Sequence, residues 1–208
     1  MRFRTGIALV GVLALGCAPW SNWVDEFASL QRLVLHEVIW WTIVAALLIY
    51  VRVGERRPLS SIGLRTPSIT DVVIGLVAGL VIVVALAAIY LGLFPAVGVD
   101  ETSAVDQLQA MPRWWLVISV VRAAVSEELL FRGYAIERTH ELTHSRFTAL
   151  AIPWLVFTFA HVGPWGWAHL LVAGVGGAGF TLLYAWRRNV CVGIIAHLVV
   201  DGIAMLVS

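Results

Sequence analysis

Apolar residues in this chain gather into long unbroken runs, not into stripes or alternations. Seven runs stand out, at about 6–20, 33–51, 71–94, 114–136, 149–162, 168–186 and 190–207. A helix needs ~20 mostly apolar residues to cross the hydrocarbon core. Most runs approach that length, while the short first and fifth predict partial or tilted spans. Arginines fill alternate linkers: Arg2 and Arg4 precede the first run, Arg52, Arg56, Arg57 and Arg65 follow the second, Arg138 and Arg146 the fourth, and Arg187 and Arg188 the sixth. The other linkers hold Asp25 and Glu26, then Asp100, Glu101 and Asp106, against only Arg32 and Arg113; residues 163–167 carry no charge. The positive-inside rule then places the amino terminus in the cytoplasm. The pattern predicts an all-α polytopic transmembrane helix bundle of about seven spans, one domain over residues 1–208, in a cell membrane of prokaryotic type.

Composition sharpens this. The chain is 60% hydrophobic and 13% charged, against roughly 45–50% and about 25% in soluble domains. A net charge of +1 and the lack of a long basic tract exclude a nucleic-acid partner. All 14 basic residues are arginine, which reads as genomic bias. Cys17 and Cys191 lie in separate apolar runs and form no disulfide framework. Cys17 follows LALG, faintly like a lipoprotein cleavage site, but Ala14 stands where leucine is usual. An uncleaved first span is preferred to a cleaved signal peptide. Trp114, Trp115, Trp165 and Trp167 mark span ends, where amphipathic rings favour the headgroup zone. Gly174, Gly176, Gly177 and Gly179 are read as small residues allowing close helix contact.

Ionisable groups inside spans are costly and point to function or to tight internal pairing. Glu127, Glu128, Arg132, His161, His197 and Asp201 are the candidates. Glu128 and Arg132 are four apart and meet on one helix face, whereas Glu127 points about 100° away and keeps no such partner. Burial without a counter-charge disfavours the ionised form, the setting in which a carboxylate accepts a proton readily. His197 and Asp201 also share a face, with the acid able to orient the imidazole. From the helix rise, Glu127 lies roughly 13 Å from the inner edge, with His197, Asp201 and His161 at roughly 10, 16 and 18 Å. Such a slab suggests one shared polar cavity; a buried ion pair that merely fastens two helices is the alternative.

These residues form three motifs in order: Glu127-Glu128-x-x-x-Arg132 with the following FRG, Phe157-x-x-x-His161, and His197-x-x-x-Asp201. They resemble the EExxxR, FxxxH and HxxxN/D motifs of the CPBP (Abi) family, the CAAX prenyl endopeptidase type and its bacteriocin-processing and immunity relatives. The stretch IGLRTPSITD is similar to the family's lead-in to a span, so the resemblance covers about residues 60–207. Residues 1–59 remain as two N-terminal spans and a basic loop. The resemblance implies an intramembrane endopeptidase with no cofactor, acting on a peptide or protein substrate, membrane-anchored ones included, within the lipid bilayer. Glu127 would be the base that activates water, and Glu128 with Arg132 its supporting pair. His161 would position the water or the intermediate, and His197 with Asp201 would complete the site. One departure is Asp201, where asparagine is frequent. An ionised aspartate cannot donate to an oxyanion, so Asp201 is either protonated or orients His197.

Three other readings compete. Glu127, His161, His197 and Asp201 form a nitrogen–oxygen set suited to zinc. A non-enzymatic immunity or scaffolding protein would use the same polar cluster to bind a partner. A transporter is disfavoured by the lack of repeats. The stretch His140-Glu141-Leu142-Thr143-His144 also spells HExxH, which works when both imidazoles share a helix face with a third ligand. It falls in what reads as a polar inner linker, and is taken as chance composition. His36 and Glu37 are placed near the outer end of the second span, His169 at the interface, and Arg122 either pairs with Glu127 or snorkels outward.

Overall fold

The computed structural model describes residues 2–18, 29–99 and 111–206. Asp25, Glu26, Asp100, Glu101 and Asp106, which enter the charge pattern above, lie outside them. The described residues form seven main helices and no strand. These are α1 (Arg2–Cys17), α2 (Ser29–Ile49), α3 (Ile69–Ala88), α4 (Arg113–Glu127), α5 (Arg146–Ala160), α6 (His169–Arg187) and α7 (Val190–Leu206). Helix α4 continues through a widened π-helical stretch, Glu128–Ala135, into a last α-helical segment, Ile136–Thr143.

Among the described residues, four helical stretches are long and apolar enough to cross a membrane: Leu30–Gly54, Ile69–Ala96, Arg146–Trp165 and His169–Arg187. Thr5–Cys17 and Val190–Met205 are shorter apolar helices. The α4 run holds Arg122, Glu127, Glu128 and Arg132, whose charges interrupt its hydropathy. The fifth element is longer than its apolar run. It starts at Arg146, with Ser145 Oγ accepting from the Thr148 amide at 3.2 Å, which satisfies one of the orphan N–H groups of its first turn.

Helix α7 packs along α3 and α4, and α6 along α5 and α3. The α3–α7 approach depends on Gly75 and Gly79, four apart on one face. A Cβ at Gly75 would sit 3.0 Å from the Val192 carbonyl oxygen, and one at Gly79 2.8 Å from that of Ala196. Small residues spaced in this way let two backbones come into contact where lipid supplies no hydrophobic drive. The start of α3 is fixed twice at Asp71. Ser68 and Asp71 form a reciprocal capping box, and Arg187 at the end of α6 donates to Asp71 Oδ1 at 2.7 Å. The glycines of α6 serve packing at two points: Gly177 faces the Phe157 ring and Gly179 faces Ile82.

The HExxH stretch differs from its sequence reading. Residues 140–143 are helical and only His144, at φ 55°, ends the turn. The left-handed His144 closes the last turn, its amide donating to the His140 carbonyl at 2.8 Å. Glu141 is occupied as well, accepting from Arg138 at 3.0 Å and from Arg57. Arg138 is fully buried and also binds Glu55 and Ser61. Burial works against that charge, but the hydrogen bonds and charges of Glu55, with Glu141, outweigh it and hold the guanidinium's pKa above the usual arginine value. This inner-loop network fastens residues 55–61 to the end of α4. We expect Glu141→Gln to leave any peptide cleavage within about twofold, since exposed or half-exposed pairs contribute little. Initial rates in detergent check this, and a hundredfold loss would restore the zinc-peptidase reading.

Candidate active site

The EExxxR motif falls on the junction of α4 with its widened turns. All eight residues from Glu128 to Ala135 are buried. Multi-residue π-helical geometry is rare and concentrates at functional sites. The two adjacent acids meet different surroundings there. The Glu128 side chain is wholly buried, with Oε1 accepting from Arg132 Nη1 at 3.0 Å and lying 3.2 Å from His197 Nδ1. The Glu127 side chain is 18% exposed, and its Oε2 lies 3.9 Å from His197 Nε2.

Arg132 is the anchor of the cluster. Its Nη2 donates to the Gly177 carbonyl at 3.1 Å. Its guanidinium lies 4.1 Å from the Phe157 ring centroid and 5.4 Å from that of Phe180. A guanidinium over aromatic faces is favoured by the ring quadrupole, more so when desolvated. Gly193 makes room for the acid: a Cβ there would come within 2.5 Å of Glu128 Oε2.

His197 is held from four sides. Phe180 stacks on its ring at 4.5 Å, Glu128 faces Nδ1, and Glu127 and Asp201 face Nε2, the latter at 3.4 Å. A neutral imidazole has one N–H, so it can donate to carboxylates on both sides only when doubly protonated. Asp201 is 18% exposed like Glu127, so both open toward the same side of the imidazole.

The structure thus brings Glu127, Glu128, Arg132, His197 and Asp201 together. His161 stands in an adjoining cluster, at the end of α5. Its Nδ1 contacts the Phe157 carbonyl at 2.8 Å, which requires the proton on that nitrogen and leaves Nε2 as the acceptor. Its ring packs on Phe157 at 4.4 Å, and Phe157 in turn underlies Arg132, so one aromatic ring joins the two clusters. No ion pair links His161 directly to Glu127. Among the described residues, no three His, Cys, Asp or Glu side chains are grouped closely enough to hold a metal ion.

Several neighbours were not legible. His169, expected at the interface, stacks between Trp165 at 5.0 Å and His161 at 6.0 Å, and its Nδ1 lies 3.4 Å from Tyr90 Oη. The break at Gly166 (φ 86°) folds Trp165 and His169 back together, and no helical spacing announces it. Arg122 pairs with Glu37 and not with Glu127. Its Nε donates to Glu37 at 3.2 Å, where Ser119 also donates. Glu37 therefore faces the bundle through an ion pair on the α2–α4 interface.

Residues 109–203 match the family described as Type II CAAX prenyl endopeptidase Rce1-like. That family model belongs to the CPBP (Abi) family, which this stretch therefore resembles. The CPBP match contains all six motif residues, and it starts after the lead-in IGLRTPSITD, so it is shorter than the stretch over which the motifs suggested a likeness. No curated protein and no solved structure matches the chain. Proteins of that family are membrane endopeptidases, which implies a peptide or protein substrate, and the apolar helices around the matched stretch fit a membrane protein.

Proposed function

We propose that this multi-pass protein of the cell membrane is an intramembrane endopeptidase that uses Glu127 to activate water and needs no metal. The supporting observation is the unequal setting of two adjacent carboxylates. Glu128 is buried and bound to Arg132 and His197, whereas Glu127 is partly open and carries no arginine partner. Structural duty falls on one acid, and the other remains available for proton transfer.

In this reading Glu127 takes a proton from water as the water oxygen adds to the scissile carbonyl. The carbonyl π electrons move onto oxygen, His161 Nε2 accepts a hydrogen bond from the attacking water, and His197 faces the resulting tetrahedral species. Collapse re-forms the carbonyl and breaks the C–N bond, while Glu127 returns its proton to the leaving amine. Asp201 orients His197 and donates nothing. Asp201→Asn should then keep cleavage within about tenfold, because the amide still bonds the imidazole; pH–rate profiles of both forms check this. A loss of several orders would make the charge of Asp201 essential.

The family description names a CAAX prenyl endopeptidase, and a prenylated carboxyl-terminal tail is one candidate substrate; the chain itself carries no feature that selects it. The test compares membrane proteomes of cells expressing wild-type protein or Glu127→Gln, with chelator added to the purified enzyme. A precursor that accumulates only in the variant, with cleavage insensitive to chelator, is the expected result. Identical proteomes would overturn the enzymatic reading, and chelator inhibition reversed by zinc would overturn metal independence.

A further inference from the structure

A cavity of about 440 Å³ opens where the end of the α4 extension, the start of α5 and the end of α6 converge. His140, Arg146, Leu150, Tyr184, Trp186 and Arg188 are among its lining residues, and no acid lines it. It is separate from the carboxylate cluster and shares no residue with it. Arg146 donates one Nη2 bond to the Ala185 carbonyl at 3.2 Å, and Arg188 one to Glu137 at 2.8 Å. Each guanidinium has five donors in all, so both retain donors for a further partner. His140 lines the cavity beside them, its Nδ1 shielded from solvent.

The surroundings say what that partner looks like. Phe147, next to Arg146, is 82% exposed, and Trp186, next to the arginine pair Arg187–Arg188, is 65% exposed. Two apolar helices end here, so the basic cavity sits at a membrane edge with greasy, outward-facing side chains beside it. Basic pockets between spanning helices hold anionic headgroups, and arginine binds phosphate through paired donors.

We infer that this cavity is a binding site for an anionic phospholipid, its phosphate held by Arg146 and Arg188 and its acyl chains lying along α5 and α6. The inference does not depend on the proteolytic reading.

The test uses the full chain purified in mild detergent, with native mass spectrometry counting retained lipid after exposure to dioleoylphosphatidylglycerol or dioleoylphosphatidylcholine. Wild type should retain the glycerol lipid at least fivefold better, and each arginine replaced by glutamine should reduce that preference by about fivefold. Leu150→Trp, which fills the cavity and leaves both charges in place, should abolish it too, and keeps the test open if the arginine variants fail to fold. Equal retention of the two lipids, or an unchanged preference in Leu150→Trp, would overturn the site. Displacement of the lipid by millimolar inorganic phosphate would reassign the cavity to a free anion and overturn the lipid assignment.

Discussion

Glu127→Gln should lower peptide cleavage by about 10²–10⁴-fold, the contribution of a positioned general base, while the protein stays folded. The change keeps the size of the side chain and removes only its ability to take a proton. Little structure depends on the lost charge. Glu127 is partly exposed, and His197 Nε2 lies 3.9 Å from it, longer than a good hydrogen bond. Glu128→Gln is the informative contrast. It alters a fully buried acid that Arg132 and His197 share, so it should lower stability and activity together. Thermal melts beside initial rates separate the two variants. If Glu127→Gln cleaves at the wild-type rate, the assignment of the base fails.

Arg132→Leu should destabilise the bundle by about 3–5 kcal/mol, the range for removing one partner of a buried ion pair. The substitution strands the Glu128 carboxylate in a site where its second oxygen already has no protein partner. It also vacates the Gly177 carbonyl and the faces of Phe157 and Phe180. Replacing both Glu128 and Arg132 with leucine should cost less than Arg132→Leu alone, because desolvation of an unpaired charge is then absent. Chemical denaturation in micelles gives the comparison. A single variant as stable as wild type would mean that the pair carries no structural weight.

What the sequence made legible follows the range of the interactions. Apolar runs announce helices directly, because a bilayer demands length and greasiness of each segment independently. Pairs within one helix are equally readable: Glu128 with Arg132 and His197 with Asp201 come from spacing four alone, and both are close in space. Contacts across helices were not. Arg122 and Glu37 are 85 residues apart, and Arg57 and Glu141 84, and no local rule selects one carboxylate among several at similar depth. The HExxH stretch was read as loop because its polar residues break the apolar pattern, yet it continues the helix from Ile136 to Thr143. The stacking of His169 on His161 was not readable, because a glycine turn, not a helical repeat, brings the two rings together.

One oxygen, Glu128 Oε1, is shared by the arginine that ties three helices and by the imidazole that faces Glu127. Selection acting on the architecture therefore protects much of the reactive centre as a by-product. A descendant that abandoned hydrolysis for mere partner recognition could drop Glu127 freely, yet would have to keep Glu128, Arg132 and the compactness of Gly193. Decayed copies of this gene should accordingly show the first acid eroding while the second endures.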